Sequence, residues 1–101
     1  MKLNYIYLLR SYKDGKCYLG WTNDLERRVC EHNEGLNLST KARGPFELIY
    51  CEGYKHKEDA QTREYYLKNS PHALQQLKKR LKVAVALASS RVGEVVGWWG
   101  E

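Results

Sequence analysis

The chain has 101 residues, with 17 Lys and Arg against 12 Asp and Glu, for a formal charge of +5. That length suits one small domain with one core and excludes a two-domain enzyme architecture. Aromatic residues at 12% and charged residues of both signs at 29% exclude a disordered tail or a low-complexity array.

Residues 3–10 are apolar and β-prone, interrupted only by Asn4 and ended by Arg10. No small-residue cleavage site follows, so the run reads as a strand and not as a signal peptide. A turn at Lys13-Asp14-Gly15 leads to a second β-prone run over residues 16–21, and the two predict a hairpin. Asn23 and Glu26 have capping-box spacing, Leu25 and Val29 share a face, and Gly35 stands where a helix-ending glycine belongs. These signals predict a helix over residues 24–33. The polar stretch 36–44 is a loop that passes through Pro45 into a third strand with Phe46, Leu48, Ile49 and Tyr50. A helical pattern covers residues 57–68. Ser70-Pro71 then restarts a helix whose inner face carries Leu74, Leu77, Leu81 and Val85. The order β-β-α-β-α-α predicts a small α/β single domain, a three-stranded and mostly antiparallel sheet flanked by helices. It divides as residues 1–82 and a C-terminal extension, 83–101. The extension, with Val95-Val96 and Trp98-Trp99, either folds back as an extended segment or orders on a partner.

The longest apolar run, residues 83–88, is far short of the roughly 18 residues of a membrane span. Cys17, Cys30 and Cys51 form no C-x-x-C pair and cannot all pair with one another, which points to a reducing cytoplasm. The excess positive charge lies in residues 55–82, with 8 basic and 3 acidic groups, a balance compatible with phosphate binding.

Several residues could carry chemistry. Arg28 and His32 lie four apart, one turn from each other on one helix face. Tyr18 precedes that helix, Gly20 permits close backbone approach, and Tyr7 lies on the partner strand of the hairpin. Two phenols, a guanidinium and an imidazole can share one pocket; each tyrosine alone equally suits a half-buried strand aromatic. Glu64 follows Ala60 by four and precedes Leu67 by three, so it falls on an inward stripe. A carboxylate there must meet a cation, either an Arg or Lys in an ion pair or a divalent metal such as Mg²⁺. His56, His72 and Cys51 show no zinc spacing. The Lys78-Lys79-Arg80 run is the wet side of an amphipathic helix. Lys41 and Arg43 in the loop before the third strand, with Trp21 at the end of the second, are the candidate nucleic-acid contacts.

The set Tyr5-Ile6-Tyr7, Tyr18-Leu19-Gly20, Thr22-Asn23-Asp24-Leu25, Arg28, His32 and Glu64 resembles a GIY-YIG nuclease domain. It is similar in particular to the small stand-alone bacterial members related to the nuclease module of the excinuclease C subunit. Ser39-Thr40-Lys41, residues 43–48 and Arg63-Glu64 follow in the same order, so the match spans roughly residues 4–82. Tyr5 stands where the first motif has glycine, and Leu19 where the second has isoleucine. The resemblance implies a metal-dependent endonuclease hydrolysing DNA phosphodiesters, structure-selective in repair or recombination, with a protein partner supplying specificity. It makes Tyr7 and Tyr18 the motif phenols, Arg28 the phosphate-binding cation, His32 an active-site polar group and Glu64 the ligand of Mg²⁺, or of Mn²⁺ in its place. The other reading is a non-catalytic nucleic-acid-binding or partner-docking module with the same fold, in which Glu64 sits in an ion pair.

Overall fold

A computed structural model of the chain describes residues 2–37, 41, 44–81 and the backbone of 95–98. The elements are β1 (Asn4–Ser11), β2 (Cys17–Thr22), α1 (Leu25–Asn33), β3 (Phe46–Tyr54), α2 (Lys57–Asn69), α3 (Pro71–Lys79) and β4 (Val95–Trp98). The first six follow the β-β-α-β-α-α order read from the sequence. Strand order is β3-β1-β2-β4, with β1 antiparallel to both β2 and β3. β4 adds to the free edge of β2 in the parallel sense, Tyr18 opposite Gly97 and Leu19 opposite Trp98. The extension thus contributes a fourth strand. Trp99 and residues 83–94 lie outside the described residues.

β1 is central, and helices cover both its faces. Ile6, Tyr7, Leu8 and Leu9 are accordingly all fully buried, and the strand reads as a continuous apolar run instead of an alternating one. Ile6, Leu8, Leu19 and Trp21 pack on one face with Ala60 and Leu67 of α2 and Leu74 and Leu77 of α3. Tyr7, Leu9, Tyr18 and Phe46 pack on the other with Leu25 and Val29 of α1.

A bulge sorts β3 between these faces. Leu9 pairs with Leu48 but Leu8 with Tyr50, so Ile49 is the extra residue. The inserted residue reverses side-chain parity. Phe46 therefore joins the α1 face, while Tyr50 and Tyr54 pack on the α2 face.

Local chemistry sets the ends. Gly15 adopts φ 72° in the hairpin turn, where Ser11 Oγ accepts from the Lys13 and Asp14 amides at 3.1 and 3.3 Å. Helix α1 is capped by Asp24, whose Oδ1 accepts from the Arg27 amide at 3.3 Å. The cap is one residue later than the Asn23–Glu26 spacing predicts, because Thr22 Oγ1 takes the Asp24 amide at 3.0 Å and pins that residue at the boundary. At the other end Gly35 (φ 75°) donates to His32 O and Leu36 to Glu31 O, a Schellman closure. Ser70 caps α3 through the Ala73 amide at 3.3 Å. That helix ends at Lys79, with the Arg80 amide on Leu77 O, so Leu81 packs from beyond the helix, and Val85 lies outside the described residues. Among the described residues no helix is long and apolar enough to cross a membrane.

Candidate active site

Tyr7 and Tyr18 stand on adjacent strands and both face α1 because the β1–β2 register pairs Leu9 with Tyr18 and Tyr7 with Gly20. The glycine leaves room over β2 beside the Tyr7 ring. Arg28 and His32 project from consecutive turns of α1 onto the same face. The helix carries them to the phenol: Tyr7 Oη lies 3.1 Å from His32 Nε2, and the Arg28 guanidinium hydrogen-bonds Tyr7 and, at 3.2 Å, Glu31 Oε1. A guanidinium only donates. Tyr7 Oη thus accepts from Arg28, and with the imidazole proton on Nδ1 its own hydroxyl donates to His32 Nε2.

Electrostatics support that assignment. Burial, with Arg28⁺ nearby, pushes the His32 imidazole down to about 4, so it is neutral and an acceptor at pH 7. Burial works against the Arg28 charge, but the hydrogen bonds to Tyr7 and Glu31, the Glu31 charge and the charge Tyr7 gains on ionising outweigh it and hold the guanidinium above its ordinary value. The cluster is a directed chain, Arg28 to Tyr7 to His32, inside a covered pocket: Tyr7, Tyr18 and His32 are each at most 1% exposed.

Phe46 and Asn33 complete the pocket, and sequence reasoning missed both as site residues. The Phe46 ring meets Tyr18 edge-on at 5.2 Å between centroids and His32 at 6.1 Å. Asn33 clamps the Phe46 backbone, accepting from its amide at 2.6 Å and donating to its carbonyl at 3.3 Å. The last residue of α1 thereby fastens the start of β3. The signal available was weak: Phe46 is the only phenylalanine in the chain, and Asn33 sits between His32 and the Gly35 closure.

The other candidates lie elsewhere. Glu64 is half-buried on α2, which packs on the opposite face of the sheet from α1, and no described contact joins it to Tyr7, Tyr18, Arg28 or His32. Burial pushes its carboxyl above the usual carboxylate range, and Lys68 one turn on only partly offsets this. Among the described residues no ion pair engages Glu64. Arg63 beside it is bound to Glu52 through two bonds of 3.0 and 3.1 Å. Glu52 also accepts from Tyr50 Oη at 2.5 Å and Tyr54 Oη at 2.6 Å. Burial and this shared carboxylate push both phenols up to about 12. For Glu52 itself, burial is outweighed by Arg63 and the two phenols, and its carboxyl falls below the ordinary value. This knot ties β3 to α2, and the sequence reading did not single it out.

Trp21 is 8% exposed in the α2-face core, with the Lys57 ammonium 5.3 Å over its ring, so its indole is committed to packing. Lys41 is exposed and lies against the end of α1, its Cγ 3.8 Å from where a Cβ on Gly35 would sit. Arg43 lies outside the described residues. Tyr5, in the place of the motif glycine, lies across Gly53, its strand partner: a Cβ there would fall 3.2 Å from Tyr5 Cε1.

A sequence model of the GIY-YIG catalytic domain matches residues 3–82. The chain belongs to the GIY-YIG family. It is 48% identical over 67 residues to the UPF0213 protein CPE1444 of Clostridium perfringens, covering 65% of this chain and 71% of that protein. It is 42% identical over 66 residues to the UPF0213 protein YazA of Bacillus subtilis, covering 64% and 67%. The solution structure of the UPF0213 protein BH0048 from Bacillus halodurans is 29% identical, with a TM-score of 0.46 over 90% of this chain and 92% of that one.

Proposed function

We propose that this GIY-YIG domain is a divalent-metal-dependent endonuclease that hydrolyses DNA phosphodiesters, with Tyr7 as the group that takes the proton of the attacking water. The Arg28–Tyr7–His32 chain carries this reading. A free phenol near pKa 10 is a poor base at neutral pH. Here Arg28⁺ is in place to stabilise the phenolate, and His32 Nε2 accepts the Tyr7 hydrogen bond and orients the phenol; with its own pKa at about 4 the imidazole does not keep the proton, which passes to solvent. Arg28, with 15% of its side chain exposed, is the least covered member of the chain and the one a phosphate meets first. Its permanent charge suits the extra negative charge of a pentavalent phosphorus. Both motif phenols are covered in this state, so the phosphate reaches Tyr7 only when DNA opens the α1 face.

A metal fits one position. Among the described residues no three His, Cys, Asp or Glu side chains converge as a cage, but Mg²⁺ is commonly held by one carboxylate with water and substrate phosphates. Glu64, half-buried and outside any ion pair with a described residue, is that kind of donor. A Mg²⁺ or Mn²⁺ held there would bind phosphate oxygens on the α2 face and neutralise their charge. Lys41 would contact a flanking phosphate, and specificity for a repair or recombination structure would come from a protein partner.

A second reading, a nucleic-acid-binding module without catalysis, draws on one observation: the covered phenols and Glu64 lie on opposite faces of the sheet. One experiment separates the two. Labelled single-stranded, duplex, flapped and branched DNA is incubated with wild type, Tyr7→Phe and Glu64→Ala in Mg²⁺, Mn²⁺ or EDTA. Metal-dependent cutting by wild type, lost in both variants, supports the nuclease. Inert wild type that binds the same DNA leaves the module.

A further inference from the structure

The helices on the face away from Tyr7 enclose a cleft of about 300 Å³ between α2 and α3. Its walls carry Arg63, Tyr66, His72, Gln76 and Arg80. The functional reading above uses none of them. Two guanidiniums, an imidazole and an amide line it, and among the described residues the carboxylate bound to them is Glu52, held by Arg63. That pair fixes the Arg63 side chain in place. Arg80 is exposed at the end of α3, close enough for its charge to act on the Tyr50 phenol. The cleft therefore has the exposed Arg80 charge, outside any ion pair with a described residue, beside a preorganised guanidinium, in the segment that holds the excess charge of the chain.

Beside these cations stand aromatic rings that the core does not use. Tyr66 is 53% and Tyr65 70% exposed, and the Arg63 guanidinium lies 6.0 Å from the Tyr66 centroid. Cations for the backbone next to exposed rings for the bases are how single strands are bound without sequence readout. In a duplex the base faces are already stacked and unavailable to a tyrosine.

We propose that this cleft is a second nucleic-acid site, in which Arg63 and Arg80 hold one backbone phosphate of a single strand and the neighbouring unpaired base stacks on Tyr66. The site stands whether or not the chain cuts, because binding here needs neither Tyr7 nor a metal. On a cleavable substrate it would select DNA with a single-stranded arm.

The test is fluorescence anisotropy of a labelled thymidine dodecamer, in EDTA, over a range of KCl concentrations, with wild type, Arg80→Gln, Tyr66→Ala and Tyr66→Phe. The Arg80 and Tyr66 side chains are exposed, and circular dichroism checks that each variant folds. Arg80→Gln should weaken binding several-fold and reduce the slope of log K against log salt by about 0.7, one single-strand phosphate contact. Tyr66→Ala should weaken it roughly 5- to 100-fold, with Tyr66→Phe close to wild type. Affinities within twofold of wild type for both Arg80→Gln and Tyr66→Ala overturn the proposal. So does a duplex of equal length that binds as tightly and ignores Tyr66→Ala. Inorganic phosphate that competes with the dodecamer at equal concentration also overturns it, since the site would then serve a free phosphate. Because no step requires cutting, a failed cleavage assay and a failed binding assay remain distinct results.

Discussion

The neutral state of His32 has a measurable price in stability. In the unfolded chain the imidazole titrates near 6.5, and in the folded chain burial and Arg28⁺ bring it to about 4. Between those values the unfolded state binds a proton that the folded state refuses, so stability falls as pH falls. Above 6.5 neither state binds it and the contribution is complete; below about 4 both do and the slope ends. The difference, at 1.36 kcal/mol per unit, amounts to about 3 kcal/mol. That is a large fraction of the roughly 5–15 kcal/mol that holds a small domain together. The assay is urea unfolding followed by circular dichroism at several pH values, for wild type and His32→Gln. Glutamine keeps an acceptor for Tyr7 and removes the titration, so contributions of carboxylates cancel in the comparison. Wild type should lose about 3 kcal/mol more than the variant between pH 7 and pH 4. An imidazole resonance of His32 that titrates near 6.5, or equal pH slopes for the two proteins, would refute the reasoning and remove the neutral imidazole that orients Tyr7.

Glu52→Gln should cost about 2–3 kcal/mol in the same urea assay, because Arg63 keeps its partly buried charge without a counter-charge. The Glu52 contribution is present above the ordinary carboxylate pKa and lost as pH falls through its lower folded value, so the wild-type acid limb should be steeper than that of the variant. Two glycines should fail for different reasons. Gly35→Ala should cost about 1 kcal/mol from φ 75° alone, since its Cβ would meet Lys41 only at ordinary contact distance. Gly53→Ala should cost about 1 kcal/mol by crowding Leu3 at 3.0 Å and Tyr5 at 3.2 Å, and a double-mutant cycle should show less in a Tyr5→Gly background.

Elements with local signals were legible in the sequence. The Gly15 turn, the Gly35 closure and the Ser70-Pro71 restart each use backbone chemistry confined to a few residues, and the structure has all three. The Tyr7, Tyr18, Arg28 and His32 cluster was legible because a two-residue and a four-residue period place those side chains on single faces. What escaped depends on pairing across the chain. The Ile49 bulge is a register event between strands over forty residues apart, and without it Phe46 and Tyr50 would share a face. The Glu52 knot follows from that bulge, since it turns Tyr50, Glu52 and Tyr54 toward Arg63. Asn33 escaped because its partner is the backbone of Phe46, which any residue could supply. Trp21 shows the opposite case: an aromatic beside a motif glycine looks like a platform in the sequence, and only the position of α2 shows that it is 8% exposed with the Lys57 ammonium over its ring.

The placement of Glu64 leads to a stability argument that separates a structural carboxylate from a functional one. A glutamate retained for an ion pair stabilises the fold, and replacing it should be damaging. Here burial raises the carboxyl above the usual range while Lys68 only partly compensates. A raised carboxyl pKa means that stability is greatest below the ordinary value and declines as pH rises and the folded group is forced to ionise. At pH 7, then, the carboxylate works against the fold. Glu64→Gln should keep or raise stability, by of order 0.5 kcal/mol or a Tm gain of roughly 2–4 °C. If the ionised group is kept to hold a cation, Mg²⁺ at ten times its Kd should stabilise wild type by about 1.4 kcal/mol and leave Glu64→Gln unmoved. Thermal unfolding with Mg²⁺ and with EDTA measures both effects on the same two proteins. A variant less stable than wild type by 1 kcal/mol or more in EDTA, with no Mg²⁺ response in either protein, would make Glu64 a structural ion-pair partner and remove the metal from the proposed chemistry.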